Sequence, residues 1–495
     1  VKERSICMGK STTPSFVVSL RLLTTKEDER ELEYRFRAGA HLYNLCVKEA
    51  RKRAHKLLKD AEYKARRKAY SGTKGERDAL FEIRARYGLA GNYSLEPYIK
   101  EGRKKFSKHL DSNTCAKISH TVWDAVSDFL FKDGEQIHFR KVRDFRSMES
   151  KNNIQGIRFR ENHVEWCGLH IPVRVRKKDV YAKQCLQNHR IKYCRIHRKW
   201  HKHKWRYYVE LVMEGIPPLK ERRMGKGRVG IDIGTSTIAA VSEADVLFKE
   251  LNDGIEPIDK EIKRLNRKAD RQRRANNPDN YNENGTIKKD SRSFHKKWKV
   301  SRNQKLTYDK IRELYQKRSN KLSQFQNQLA NEIVAMGDEI VIETMNFQAL
   351  KKKAKKTEKS KKTGRYKKKK RFGKSISIHA PSQLVGKVKR RLAYFGGTLL
   401  EIKTTKMRAS QYNHITGEYM SPDLNKRWKE LVPDLCVQRD LYSAFLLFNV
   451  KDEETIDDEL CMQTFDNFYD SHNRLINELK QQKKEGKHLP SCMGI

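Results

Sequence analysis

Apolar and polar residues alternate along "SFVVSLRLL" (Ser15–Leu23), and the valines favour extended backbone, so a strand is expected there. From Arg30 to about Tyr70 the spacing becomes helical. Leu42, Leu45, Cys46 and Ala50 share one face, and Gly39 is the one break in an otherwise charged helix. A second helical stretch covers roughly Leu95 to Phe131. Between Gln136 and Met213 the period falls to two, and "QIHFRKV", "GIRFREN", "HVEWCGLHIPVRV", "IKYCRIHRK" and "KWRYYVELVM" read as five strands. With the first strand they suffice to close a small barrel, with helices inserted after strand one. "GIPPLKERRMGKG" (Gly215–Gly227) has the Pro, Gly and charge of a linker.

A new domain starts at Arg228 with "RVGIDIGTSTIAAVSE". A basic helix (Asp259–Ala275) and the polar loop "NNPDNYNENGT" follow. A long helix then runs from about Thr307 to Met336. Ile311, Leu314, Leu322, Phe325, Leu329, Ile333 and Met336 keep helical spacing along it, and Gly337 is a good stop. It leads into the buried-type strand "DEIVIETMN". After "FGKSISIHAPSQL" come a helix, the strand "GTLLEIKTT" and the helix "RDLYSAFLLFNV". The tail beyond Lys451 is helical and mixed in charge, and its pattern assigns it no role. No internal repeat is present.

Composition changes this picture mainly through charge. The 495 residues include 108 Lys and Arg against 62 Asp and Glu, a net charge of +46. Such an excess destabilises a compact chain unless a polyanion neutralises it, and nucleic acid is the natural candidate. The basic residues run the whole length instead of forming one amphipathic face, which disfavours a membrane surface. Basic and aromatic residues interleave on the strands before Met213. That suits phosphate contact and base stacking, or equally an ordinary barrel with its cations in water. Lys351–Arg371 holds 14 basic residues in 21, either a nucleic-acid clamp or a chance targeting-like run. No run of 18 apolar residues exists, and the first residues lack a signal peptide's apolar core. The nine cysteines form no C-x-x-C pair, which points to a reducing, cytoplasmic setting.

Three acids carry the candidate chemistry. In "VGIDIG", Val229, Ile231 and Ile233 share one face of the strand, and Gly230, Asp232 and Gly234 the other. The flanking glycines would leave room for a hydrated metal and a phosphate backbone. Read alone, Asp232 is either a metal ligand or a strand-edge Asp capping a turn. Glu343 ends "EIVIE", and Asp440 opens "DLYSAFLLF"; each has its own bland reading as a strand-end Glu and a helix-start Asp. Together they form the kind of carboxylate set that holds two Mg²⁺ ions for in-line phosphodiester hydrolysis.

"RVGIDIGTSTIAAVS", "EIVIETMN" and "QRDLYSAFL" resemble the three motifs of the single RuvC-like nuclease domain of transposon-encoded TnpB proteins and compact type V CRISPR effectors. "IQGIRFRENHVEWCGLHIPV", "IKYCRIHRK", "RLNRKADRQRRANNPDNYNENGTIKK" and "FGKSISIHAPSQL" resemble one branch of TnpB-like chains, so the resemblance spans about Ser15 to Val450. It implies a multidomain α+β protein: a wedge-type β-barrel (1–29 and 135–225), an inserted helical recognition domain (30–134), and an RNase H-like nuclease domain (226–403 and 437–455). It implies Asp232, Glu343 and Asp440 as catalytic ligands of two Mg²⁺ ions. It also implies a guide RNA, and double-stranded target DNA recognised by pairing with that guide.

The family's zinc ribbon is the departure. In 404–436, Asn413 and Thr416 stand where the first cysteine pair would be, Gly417 is kept, and Cys436 alone remains of the second. His414 and Cys436 cannot make a four-ligand site, so a zinc-free remnant supported by packing or hydrogen bonds is expected. Arg427, Trp428 and Arg439 match the family pattern, either holding a nucleic-acid strand or bracing the ribbon. Residues 456–495 form a helical tail. The lost ligands and the length favour a compact, prokaryotic CRISPR effector of antiviral defence over a transposon-encoded TnpB-type nuclease. Some compact effectors act as two copies on one guide RNA, which leaves a homodimer open. "GIDIGTS" also opens actin-like and sugar-kinase ATPases, but the second Asp-Gly phosphate loop and the Gly-rich adenosine motif of that class are missing. A nuclease-dead RNA-guided binder is the third class, and the three acids argue against it.

Overall fold

The computed structural model describes residues 13–132, 134–201, 204–218, 224–288, 298–352, 357, 364, 372–403, 407–420, 426–452 and 455–495. Most of the Lys351–Arg371 run lies outside them. The chain divides into two compact units, Val1–Leu219 and Lys220–Ile495, with the boundary inside the Pro- and Gly-rich linker. No helix among the described residues is long and apolar enough to cross a membrane.

The first unit is mixed α+β. Strand β1 (Ser15–Leu22) buries every second side chain. Helix α1 (Lys26–Lys59) follows, its start fixed by a capping box in which Thr25 and Asp28 satisfy each other's backbone N–H. Gly39 does not break it. The helix runs on to Asp60, whose side chain caps the next helix, α2 (Ala61–Ala69), by accepting the Tyr63 N–H at 2.7 Å. A Cβ on Gly39 would come 2.8 Å from both Phe145 and Met148, so this glycine serves close packing and not a turn. Helices α3 (Lys74–Arg86), α4 (Glu96–Arg103) and α5 (Ser112–Phe131) complete the helical part. The expected single helix from Leu95 is split at 107–111, where Asp111 caps α5 and also accepts the Trp166 indole N–H at 2.8 Å.

The remaining strands are β2 (Ser147–Glu149), β3 (Arg158–Arg160), β4 (His163–Trp166), β5 (Leu169–Arg174), β6 (Ile191–His201) and β7 (Lys204–Glu214), with α6 (Val180–Asn188) before β6. They form one curled sheet in the order β2-β6-β7-β1-β5-β4-β3. The expected closed barrel is therefore a half-barrel with two edges. Edge strands β2 and β3 have three residues each, too short a ladder to zip together. The loop between them is held instead by Asn153, whose Oδ1 accepts the Phe159 N–H at 2.8 Å. "QIHFRKV" is not a strand, although Ile137 is buried. "HVEWCGLHIPVRV" is a tight hairpin, turned by Cys167 and Gly168 at φ of +41° and +80°.

In the second unit, β8 (Arg228–Ile233), β9 (Thr237–Ser242) and β10 (Val246–Glu250) form an antiparallel meander. Helices α7 (Glu256–Asn276) and α8 (Arg302–Met336) then return the chain to β11 (Glu339–Glu343), parallel to β8. After α9 (Phe347–Lys351), α10 (Gly373–His379) and α11 (Pro381–Phe395), β12 (Thr398–Ile402) pairs parallel to β11. The sheet order is β10-β9-β8-β11-β12. Val229, Ile231 and Ile233 pack against Leu329 and Ile333 of α8 and Leu384 and Val388 of α11. Two small hairpins follow: β13 (Tyr412–Asn413) with β14 (Glu418–Tyr419), and β15 (Trp428–Val432) with β16 (Leu435–Gln438). Helices α12 (Arg439–Phe448) and α13 (Asp458–Lys484) cover the other face, joining Leu441, Phe445, Phe465 and Phe468 to Val241, Phe248 and Val341.

Candidate active site

Asp232 sits one residue from the end of β8. The parallel register pairs Ile231 with Ile342, so the next step along both strands sets Glu343 beside Asp232. Both carboxylates thus emerge at the C-terminal ends of two adjacent central strands. Asp440 arrives from above, as the second residue of α12. The helix can lie this close because Gly230 has no side chain: a Cβ there would collide with the backbone of Ala444 and Phe448. This corrects the expected role of that glycine. Its bare face is filled by helix α12 and leaves no room for a metal or a phosphate backbone.

Asp232 feels the other two acids. Burial, followed by the negative charges of Asp440 and Glu343, holds the Asp232 carboxyl well above the usual carboxylate range, with Arg439 opposing the shift. Arg439 reaches Oδ1 of Asp440 at 3.4 Å and donates to the carbonyl of Lys426 at 3.1 Å. Glu343 accepts the Ala409 N–H at 3.4 Å. Among the described residues, no three His, Cys, Asp or Glu side chains are gathered into a ready-made metal site. The donor chemistry nevertheless fits a hard divalent cation. Three carboxylates with one arginine among them hold excess negative charge, which oxygen-seeking ions such as Mg²⁺ relieve.

Beside the acids lie the hairpins β13–β14 and β15–β16. Asn413 is fully buried; its Nδ2 donates to the Leu431 carbonyl at 2.8 Å, and its Oδ1 accepts the Ile415 N–H at 3.1 Å. Nδ1 of His414 meets the Tyr442 hydroxyl at 2.7 Å. Gly417 takes a left-handed turn at φ of +70° and donates to the Asn413 carbonyl at 2.9 Å. Cys436 is exposed. Burial lowers the Lys429 ammonium to about 8, where its Nζ lies over the Tyr442 ring and donates to the Tyr412 carbonyl.

Of the three candidate nucleic-acid contacts, Trp428 donates its indole N–H to the Gly494 carbonyl at 2.8 Å and packs against His472. The carbonyl of Arg427 accepts the Arg439 N–H at 2.9 Å. Arg439 is bound to Asp440 as described. Trp428 is committed to the protein. Sequence reasoning missed Gln438, His472 and the 492–494 segment, which contact the elements bearing the acids. Gln is a weak cap signal, and the tail's apolar spacing only identifies a helix.

No family model matches this sequence, and no curated protein matches it. Among solved structures, a cryo-EM structure of a Cas12f1–sgRNA–target DNA complex is similar, with 11% identity, a TM-score of 0.41, and coverage of 88% of this chain and 99% of that one. A CRISPR-Cas12f ternary complex is similar at 12% identity and a TM-score of 0.26, covering 88% of this chain and 87% of that one.

Proposed function

We propose that this chain is an RNA-guided DNA endonuclease of the compact CRISPR effector type, with one RuvC-like site. The observation that carries the reading is the convergence of Asp232, Glu343 and Asp440, from two adjacent parallel strands and a helix N-terminus, in a chain of net charge +46. The sheet order and covering helices support an RNase H-like nuclease domain, and the curled sheet of the first unit supports a wedge-type domain.

In this reading Asp232, Glu343 and Asp440 would hold two Mg²⁺ ions. When bound, the ions activate water and stabilise the leaving oxygen of a phosphodiester. The protein's own contribution is positional. Strand pairing fixes Asp232 against Glu343, α12 delivers Asp440, and Arg439 limits the repulsion among them. Zinc is not expected, because Asn413 and Thr416 stand where the resembled family has its first ligand pair, and the buried Asn413 side chain is engaged by Leu431 and Ile415. A guide RNA would bring the target DNA strand to these strand ends. A TnpB-type origin is the second reading. The ATPase reading has no use for Glu343 and Asp440 beside Asp232.

Sequencing of RNA co-purified with the protein tests the guide: a repeat-derived RNA supports the effector reading, and absence of any defined RNA overturns it. Asp232→Ala should abolish cleavage of guide-matched DNA while leaving RNA binding unchanged. Undiminished cutting by that variant refutes the site.

A further inference from the structure

The position of Asp440 follows from how α12 begins. Gln438 is the N-cap, and its Oε1 accepts the Leu441 N–H at 2.8 Å. Gln438 is fully buried, and its other polar groups are engaged too. Its backbone N–H donates to Nε2 of His472 at 2.9 Å, and its side-chain amide donates to the Met493 carbonyl at 3.3 Å. A backbone N–H can only donate, so Nε2 of His472 is the bare ring nitrogen. Nδ1 then carries the proton toward Oδ1 of Asn473, 3.0 Å away. Burial holds His472 below its ordinary pKa and keeps it neutral, and Trp428, Phe468 and Tyr469 enclose the ring.

Met493 is itself pinned on both sides. The Gly494 carbonyl accepts from Trp428, and the Cys492 thiol meets the Ser236 hydroxyl at 3.3 Å, in the turn that follows Asp232. Residues 492–494 thus touch the turn after one acid, the cap before another, and the hairpin beside both. Ser, Asp or Asn would cap the helix as well or better. What a glutamine adds is the amide that reaches Met493.

We infer that Gln438, His472 and the segment Cys492–Gly494 form a positioning relay for Asp440, orienting the cap and through it the carboxylate that α12 presents. The inference rests on the nuclease reading of the site. None of these groups touches the reacting atoms, so they are positioning residues.

The test uses the full chain, with Mn²⁺ binding followed by electron paramagnetic resonance beside guide-directed cleavage. His472→Ala should weaken Mn²⁺ binding and lower kcat by about tenfold or more, as loss of a supporting shell typically does, with KM and guide-RNA binding unchanged. His472→Gln, whose carbonyl oxygen can still accept the Gln438 N–H, should recover to within about threefold of wild type. Gln438→Ser caps the helix without reaching Met493, and should fall with His472→Ala. Wild-type Mn²⁺ binding and cleavage in His472→Ala or in Gln438→Ser overturn the relay. So does a His472→Gln no better than His472→Ala, which would leave ring packing as the whole effect. Should His472→Ala fail to fold, the contrast of His472→Gln with Gln438→Ser decides. Asp232→Ala separates the two levels. If it binds Mn²⁺ as well as wild type, the metal-site reading falls and the relay with it; if it loses Mn²⁺ while His472→Ala does not, the relay alone falls.

Discussion

An acid near the end of a central strand is costly when ionised, and Asp232 shows the cost directly. Its folded pKa lies above the unfolded value through burial and two like charges. The sign follows: below the unfolded pKa the carboxyl is neutral in both states, and stability is lost as pH rises through the folded pKa. At neutral pH without divalent ions the carboxyl group is therefore a liability. Asp232→Asn should melt higher than wild type in EDTA, by roughly 2 °C for a gain of about 1 kcal/mol. Millimolar Mg²⁺ should raise the wild-type melting temperature and not that of the variant, because an ion that binds only the folded state stabilises it. Calorimetry of both proteins with and without Mg²⁺ checks both statements. Gly230 fails in a different way. A methyl group there meets backbone that cannot swing aside, so Gly230→Ala should cost about 3 kcal/mol or more, and cleavage should fall with it as α12 is displaced.

At the scale of elements, hydrogen bonds hold the β13–β14 and β15–β16 hairpins, and this carries a pH signature. Burial lowers His414 from its ordinary 6.5 to about 4. The unfolded state then binds more protons between those values, so stability falls on acidification from about 6.5 to 4. His414→Asn keeps a partner for Tyr442 without the titration. Between pH 7 and 5 the wild type should lose up to about 2 kcal/mol more than this variant. Urea midpoints at the two pH values measure the difference, which also subtracts the other buried histidines. The same elements show what a pattern reveals. Period and β-branching located β1, β6, β7, β8 and β11, because each buries alternate or continuous side chains against a core. They failed at "HVEWCGLHIPVRV", where a turn at Cys167–Gly168 lacks the usual Asn-Gly signal, and at "QIHFRKV", whose buried Ile137 is one contact and not a ladder. Gly39 is decided by close packing against Phe145 and Met148, which no local pattern reveals. The three acids stood out because their strand and helix contexts are local. The role of Gly230 did not, because a helix more than 200 residues later fills its face.

For the whole molecule, the net charge of +46 sets the terms on which the site can be used. Each phosphate neutralised releases condensed counterions, so affinity for a polyanion falls steeply with salt. Six phosphate contacts alone give a slope of log affinity on log salt of about −4 to −5, hence a loss of several hundredfold between 50 and 200 mM. Bound RNA also removes self-repulsion, so it should raise the melting temperature at low salt and lose that effect as salt rises. In the proposed reading the three acids, and not the residues that supply this field, carry the catalysis. Asp232→Ala should therefore show the wild-type salt slope for guide RNA, measured by filter binding from 50 to 400 mM, while cutting nothing. A slope near zero would remove nucleic acid as the partner that the charge implies. A slope changed by Asp232→Ala would mean that the acids and the RNA share one surface, and that binding and cleavage are not separable.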